Sequence, residues 1–218
     1  MWSREKGAYY PYSIKNKESV DILMASTFCP LRLCIADKEQ RKCLIGLLKN
    51  HKHFNWDTIP LTSVSKLDKV FTVTEGKYQG NSSWSGNVWT LINEMVIRGL
   101  LDCGETEMAA ELALKTVYAF NHNCAEFINP FDGRGHGVIK YAWSASQYIE
   151  LIVEVIFGIS YNASKKEVVV LPNLAKELQG ASLSLKNIKL SADVKLSVFI
   201  EDGQVSYWLS DNTLKVKL

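Results

Sequence analysis

The chain has 218 residues, 47% of them hydrophobic and 22% charged, and a net charge of +2. A chain of this length can bury a sizeable core, as one large domain or as one domain with a small appendage. The near-neutral charge and the absence of a basic run in the sequence argue against nucleic acid and anionic lipid as partners. The composition is that of an ordinary globular protein.

Neither a membrane-spanning helix nor a signal peptide is predicted. The longest apolar stretch, residues 148–159, contains two glutamates and is too short to cross a bilayer. The residues after Met1 lack the apolar core of a signal peptide. The five cysteines have no Cys-x-x-Cys spacing, which predicts reduced and mostly buried thiols rather than disulfides or a zinc site. We therefore expect a cytoplasmic protein, on the premise that Met1 is the true start.

Helical periodicity dominates the first 160 residues. Asp37 is placed to cap a helix that ends near Asn50. Further helices are predicted over residues 19–35, 87–103, 105–121 and 141–158. The polar loops between the helices, chiefly 51–86 and 121–140, are long, and loops of that length are uncommon unless they carry function.

The pattern changes after residue 166. Short runs with period-two alternation predict antiparallel strands, and residues 201–204 form a good hairpin turn. The predicted strands cover residues 168–171, 182–185, 194–198 and 205–209. We therefore expect a mainly α chain that is followed by a small antiparallel β element.

Three aromatic-rich segments, residues 84–89, 125–133 and 141–145, contain three of the six tryptophans. Tryptophan rings stack on sugar rings, while nearby amides and carboxylates bond to hydroxyls, so the combination suits carbohydrate. Aromatic residues at helix starts also commonly belong to the core. Glu126 lies in an apolar and amide context, where a carboxylate is either desolvated or held by specific donors. Taken alone, such a residue is more often structural than catalytic.

The three segments, in this order, resemble motifs of the (α/α)6-barrel glycosidases related to glycoside hydrolase family 63. That group includes processing α-glucosidases and mannosylglycerate hydrolases. Residues 83–89 resemble its Tyr-Trp-Arg-Gly-Pro-Val-Trp motif, residues 126–133 its Glu-Tyr-(Phe/Tyr)-(Asp/Asn)-Pro-x-(Thr/Ser)-Gly motif, and residues 141–145 its Phe-Ser-Trp-Thr-Ala motif. Residues 60–64 and 28–31 match a proline-serine loop and a Phe-x-Pro-Leu helix of the same enzymes.

The resemblance implies a fold and an activity. It implies part of an (α/α)6 toroid of about five or six helices over residues 1–162, with a β-strand domain over residues 163–218 packed on the helices. The implied function is the C-terminal part of an inverting glycoside hydrolase that acts on α-linked glucosides or related α-glycosides, without a cofactor or metal. Glu126 matches the general base, whose partner acid stands roughly 6.5–9.5 Å away in inverting enzymes. The implied substrate-binding residues are Trp84, Gly86, Trp89, Asn93 and Trp143.

The chain departs from the family pattern at two places. The Tyr, Arg and Pro of the first motif are Ser83, Ser85 and Asn87 here, which puts the identity of the substrate in doubt. No segment resembles the one that carries the family's general acid, since residues 2–10 resemble the loop that follows it. We therefore expect a fragment that is inactive alone. Its apolar surface would be covered by the missing N-terminal half-barrel or by self-association.

Two other functions fit parts of the pattern. A non-catalytic carbohydrate-binding or scaffold remnant would use Glu126 only as a hydrogen-bonding group, and it would bind sugar without turnover. A metal-dependent enzyme would use the histidines, but these lack a Cys or carboxylate pattern nearby and are interpreted as solvated loop residues. The histidines are His51, His53, His122 and His136.

Overall fold

The computed structural model describes residues 1–73 and 83–218, which form two compact units, Met1–Ile149 and Glu150–Leu218. The α-helices of this part of the chain are α1 (Cys29–Arg32), α2 (Lys38–Lys49), α3 (His51–Phe54), α4 (Thr90–Asp102), α5 (Thr106–Phe120) and α6 (Ala142–Glu150). No helix in the described ranges is long and apolar enough to span a bilayer. The predicted loop 51–86 contains α3 and lies partly outside the described residues.

Local signals account for the helices that the sequence predicted well. Asp37 caps α2 through a capping box, in which its side chain accepts from the Gln40 N–H and the Gln40 side chain accepts from the Asp37 N–H. Helix α5 buries one broad apolar face, as its periodicity predicts. The helix predicted over residues 19–35 is largely replaced by a 3-10 turn, Ala25–Phe28, and the single turn α1, with Pro30 in the first turn of α1.

Short antiparallel pairs complete the first unit. They join β1 (Trp2–Ser3) to β2 (Ala8–Tyr9), β3 (Tyr12–Ser13) to β4 (Glu18–Ser19), and β5 (Phe127–Ile128) to β6 (Gly135–His136). Single bridges connect further extended segments, pairing Thr62 with Val88 and Val88 with Ile128. These bridges lie immediately before α4 and beside β5, which is where the aromatic-rich segments fall.

The second unit begins with a π-helical segment, Leu151–Ile156, and continues as two three-stranded sheets. The strands are β7 (Ile159–Asn162), β8 (Glu167–Val170), β9 (Leu183–Lys189), β10 (Lys195–Glu201), β11 (Gln204–Leu209) and β12 (Lys215–Lys217). The predicted hairpin is confirmed, because β10 and β11 pair across Asp202 and Gly203, which both have positive φ. The other sheet is mixed, since β12 runs parallel to β8.

The predicted fold class, mainly α with toroid helices and a small antiparallel β element, is wrong. About 35% of the structure is helix and 22% is strand, distributed over several small sheets. Two of the described helices, α1 and α3, are single turns. Most of the strand residues lie in the second unit, where six strands form instead of the four that the sequence predicted, and two-residue strands add to the first unit. The predicted domains, 1–162 and 163–218, and the packing of the second on the first stay predictions.

The cysteines also differ from expectation. All five are free thiols, and Cys34, Cys43 and Cys124 are exposed. The prediction that they are mostly buried is therefore wrong, because a cysteine count gives no information on exposure.

Candidate functional site

A ladder of extended backbone supports the candidate site. Val88 and Ile128 exchange two hydrogen bonds, with N···O distances of 2.9 and 3.0 Å. On the other side of residue 88, the Ser63 N–H donates to Asn87 O at 3.1 Å. Val88 and Ile128 also pack in an apolar cluster with Phe120 of α5. The segments around residues 63, 88 and 128 are thereby held side by side.

The starts of α4 and α6 are tied to each other and to this ladder. The Thr90 hydroxyl donates to Gln147 Oε1 at 2.6 Å and lies 3.3 Å from the Ser144 hydroxyl, and all three side chains are buried. The Tyr141 N–H donates to Cys124 O at 2.7 Å. The structure therefore brings the three aromatic-rich segments together in one region of the first unit.

Glu126 is half-buried and is fixed by the backbone of residue 138. Its N–H donates to Val138 O at 2.8 Å, and the Val138 N–H donates to the Glu126 carboxylate oxygen Oε2 at 3.2 Å. Of the two environments considered from sequence, a carboxylate held by a specific donor is the one observed. No hydrogen bond reaches the other oxygen, Oε1, from residues 1–73 or 83–218. That oxygen can accept a proton or a hydrogen bond from a ligand.

Gly137 makes the hydrogen bond from the Val138 N–H to the Glu126 carboxylate possible. It has φ +72°, and a Cβ atom placed on it would lie 2.5 Å from Glu126 Oε2 and 2.9 Å from the Phe127 ring. Any side chain here would therefore displace the carboxylate or the ring. Glycine is required at residue 137 both for its backbone conformation and for the space it leaves.

A pair of stacked tryptophans packs against Phe127, the residue that follows Glu126 in the chain. The rings of Trp84 and Trp89 are parallel within 4°, with centroids 3.7 Å apart, and Trp89 also packs on Phe127 at 4.9 Å. Trp84 is 41% exposed, whereas Trp89 is 4% exposed. Trp89 therefore supports Trp84 from behind, and Trp84 is the member of the pair that a ligand can reach.

The turn that carries Trp84 is stabilised by its own hydrogen bonds. Ser83 O accepts from the Asn87 side-chain amide at 3.0 Å and from the Trp89 indole N–H at 3.3 Å. Asn87 stands where the family motif has proline, so a hydrogen bond supplies the rigidity that a ring would give. Gly86 is buried, and a Cβ on it would lie 2.5 Å from Thr72 O. Gly86 therefore lies where two backbone segments pass too close together for a side chain.

The two remaining sequence-predicted residues occupy different environments. Asn93 is fully buried, where its side-chain oxygen accepts from the Leu61 N–H at 2.8 Å and its amide donates to Pro60 O at 2.7 Å and Thr116 Oγ1 at 3.0 Å. It fixes the segment around residue 60 to α4 and α5. Trp143 lies in the first turn of α6 and is 49% exposed, so its ring is open to a ligand.

Two of the four histidines do not match the predicted solvated loop residues. His136 pairs with Phe127 across the β5–β6 hairpin and is buried, and His53 Nδ1 lies 2.8 Å from the Ser65 hydroxyl. Burial lowers the pKa of His53. Within the described part of the chain, no three His, Cys, Asp or Glu side chains are placed to hold a metal ion.

Sequence reasoning missed the Val138 N–H as the donor to Glu126 and Gly137 as the residue that admits it. A signal was present, since residues 133–137 read Gly-Arg-Gly-His-Gly. Repeated glycines between periodic segments mark tight turns and close backbone approaches. The pattern locates such a turn, but only the folded hairpin shows which side chain it contacts.

Residues 1–144, well over half of the chain, match the family model of the mannosylglycerate hydrolase MGH1-like glycoside hydrolase domain. The chain belongs to this family. The resemblance to family 63 glycosidases is thereby confirmed. Membership in the family makes this a glycoside hydrolase region, and the candidate site lies within the matched residues.

Curated relatives of the family have similar sequences. The chain is 23% identical to a mannosylglycerate hydrolase of Rubrobacter radiotolerans over 157 residues, which are 71% of this chain and 34% of that protein. It is 25% identical to a mannosylglycerate hydrolase of Thermus thermophilus over 148 residues, or 67% of this chain and 33% of that protein. The chain therefore spans about a third of the length of these relatives.

Solved structures with a similar fold also match the chain. A GH63 mannosylglycerate hydrolase of Thermus thermophilus, in complex with glucose, matches 69% of this chain and 36% of its own, with a TM-score of 0.58 and 25% identity. A sialidase with 12% identity shares the fold over 92% of this chain and 20% of its own, at a TM-score of 0.64. The neutral trehalase of Saccharomyces cerevisiae, 20% identical, shares the fold over 70% of this chain and 27% of its own, at a TM-score of 0.53.

Proposed function

We propose that this chain is the C-terminal part of an inverting glycoside hydrolase that acts on α-linked glucosides or related α-glycosides, with Glu126 as the general base. The observation that carries the proposal is the geometry of that carboxylate. Oε2 is anchored by the Val138 N–H, while Oε1 has no hydrogen bond within the described residues. This arrangement suits a general base, since one oxygen fixes the orientation of the carboxylate and the other can accept the proton.

In the proposed mechanism, Glu126 removes a proton from a water molecule as the water attacks the anomeric carbon. The attack comes from the face opposite the leaving group, so the configuration inverts. A protonated carboxyl group on the other side donates its proton to the glycosidic oxygen, at roughly 6.5–9.5 Å from the base, which leaves room for the water. We propose that this acid comes from outside the present chain, which spans about a third of the length of its relatives.

The exposed rings supply the proposed sugar platform. Trp84, backed by Trp89, and Trp143 at the start of α6 are both partly exposed in the region that contains Glu126. Aromatic faces stack on the C–H faces of sugars. Asn93 and Gly86 are assigned supporting roles, because both are buried and hold the surrounding backbone.

The relatives suggest which α-glycosides to test first. They are named mannosylglycerate hydrolases, so an α-linked mannosylglycerate is the first substrate to test. Ser83 and Ser85 replace a tyrosine and an arginine of the family motif. A simple α-glucoside without a charged aglycone therefore belongs in the same panel.

The proposal is tested by supplying the missing part. The chain is combined with the N-terminal portion of a mannosylglycerate hydrolase that precedes the matched region, and product formation is followed by NMR. We expect the first product from an α-glycoside to be the β-anomer. Glu126→Gln should lower kcat by about 10²–10⁴-fold, while Glu107→Gln, on the exposed side of α5, should leave it unchanged.

Three outcomes would count against parts of the proposal. An α-anomer as the first product would exclude inversion. Full turnover by Glu126→Gln would remove Glu126 from the role of base. Sugar binding without turnover under every condition would instead identify a non-catalytic carbohydrate-binding remnant.

A further inference from the structure

The end of α1 lies against the C-terminal half of α4 in a close and specific contact. Gly99 is the point of closest approach, since a Cβ on it would lie 2.9 Å from Arg32 N and 3.0 Å from Leu31 Cβ. One turn further along α4, Asp102 forms an ion pair with Arg32. These two contacts fix how the ends of α1 and α4 face each other.

Two thiol-bearing residues meet at one carbonyl group in this contact. The Cys103 thiol donates to Leu31 O at 3.5 Å, and the Cys34 N–H donates to the same oxygen at 3.2 Å. Both residues therefore lie within a few ångströms of Leu31 O. We propose that Cys34 and Cys103 are a modification site, at which a peroxide converts the two thiols into an intramolecular disulfide that links the end of α1 to the end of α4.

The two thiols have complementary environments. Cys34 is exposed, whereas Cys103 is half-buried. Burial raises the pKa of the Cys103 thiol, and a hydrogen bond from Arg41 opposes this effect. Cys103 also borders a groove of about 650 Å³ whose wall includes Lys38 and Lys42. Cys34 is thus the thiol that a dissolved oxidant meets first, and the half-buried Cys103 is the second thiol, which reacts within the chain.

The chemistry balances in two steps. Cys34 Sγ attacks hydrogen peroxide, an S–O bond forms, the O–O bond breaks and one water leaves, giving a sulfenic acid. Cys103 Sγ then attacks Cys34 Sγ, so that an S–S bond forms, the S–O bond breaks and the hydroxyl leaves as water with the proton of Cys103. Two thiols are oxidised by two electrons and one peroxide is reduced to two waters. A thiol reductant reverses the modification.

The other cysteines provide controls within the same chain. Cys43 and Cys124 are exposed, as Cys34 is, but neither has a contact to another cysteine within the described residues. Cys29 Sγ contacts Met95 Sδ at 3.3 Å instead. Exposure alone therefore does not select Cys34, whereas its position beside Cys103 does.

The test is mass spectrometry of the full chain after limited treatment with hydrogen peroxide. We expect the loss of two hydrogens, reversed by dithiothreitol, and a tryptic peptide pair that joins residues 34 and 103. The oxidised chain should melt roughly 5–10 °C higher than the reduced chain, since the bond closes a loop of many residues. Cys43→Ser should keep both effects, and Cys103→Ser should lose both.

The proposal is overturned if the intact chain keeps both thiols, or if Cys34 links to another chain or is oxidised no further than the sulfenic acid. Cys34 has φ +52°, so Cys34→Asn is a second variant that tolerates this conformation. Should Cys103→Ser and Cys34→Asn both prevent folding, the peptide map of the unmodified sequence decides the matter by itself.

Discussion

At the scale of single residues, the position of the Glu126 carboxylate depends on the absence of a Cβ atom at Gly137. We expect Gly137→Ala to displace the Glu126 side chain, because the new methyl group would lie 2.5 Å from Oε2. The left-handed backbone adds a cost of about 1–2 kcal/mol in stability. The measurement is the turnover of the reconstituted enzyme, together with its melting temperature.

Gly104→Ala is the matched control for this change. Gly104 has φ +81°, but a Cβ on it would meet nothing within 4 Å. Both variants should therefore lose similar stability from the backbone, while only Gly137→Ala should lose activity. Equal activities in the two variants would show that the contact with Oε2 does not matter.

A second prediction at this scale concerns Asn93, which sequence comparison places in the sugar site and the structure places in the core. Asn93→Ala removes hydrogen bonds to Pro60 O, the Leu61 N–H and Thr116 Oγ1. Leaving such buried groups unpaired should lower the free energy of unfolding by about 2–4 kcal/mol. Chemical denaturation measures the change, and the exposed Asn16→Ala should shift it by less than about 0.5 kcal/mol.

At the scale of elements, the stability of helix α2 depends on its N-cap residue, Asp37. Asp37→Ala removes the carboxylate that accepts from the Gln40 N–H, and it should cost about 0.5–2 kcal/mol. Thermal unfolding checks this against Asp193→Ala, which changes an exposed carboxylate before β10. An unchanged melting temperature for Asp37→Ala would mean that packing alone holds the helix start.

Elements with local signals were predictable from the sequence, and those that depend on distant partners were not. Patterns among neighbouring residues predict three such features. They are the cap of α2, the apolar face of α5, and the turn at Asp202 and Gly203. The Val88–Ile128 bridge joins segments that are 40 positions apart, so the residues near either position do not predict the pairing. The mainly α prediction failed because the second unit contains six strands rather than four, and because the two-residue strands of the first unit are too short to give a period-two pattern.

The candidate site shows the same division. The resemblance to the family pointed to Glu126, Trp84 and Trp143 as site residues, and their half-buried or exposed side chains leave them accessible in the structure. It did not separate Trp84 from Trp89, since a motif lists both rings without saying which one is covered. Exposure is a property of the folded chain, so it had to be read from the structure.

At the scale of the whole molecule, large apolar side chains remain on the surface of the first unit. Val138, Ile139 and Ile149 are each more than half exposed, on α6 or just before it. Apolar surface of this kind usually meets a partner or another copy. We expect the isolated chain to associate reversibly, with an apparent mass that rises with concentration in light scattering coupled to size-exclusion chromatography.

Ile139→Lys combined with Ile149→Lys should weaken this association at least about tenfold, because two buried charges would each oppose a dry contact. Ile14→Lys is the control, since Ile14 is 86% exposed but lies at the β3–β4 hairpin. If it weakens association equally, the contact does not involve the α6 region. When the N-terminal portion of a relative is added, the unmodified chain should form a defined complex and its self-association should disappear, because both processes would cover the same apolar residues.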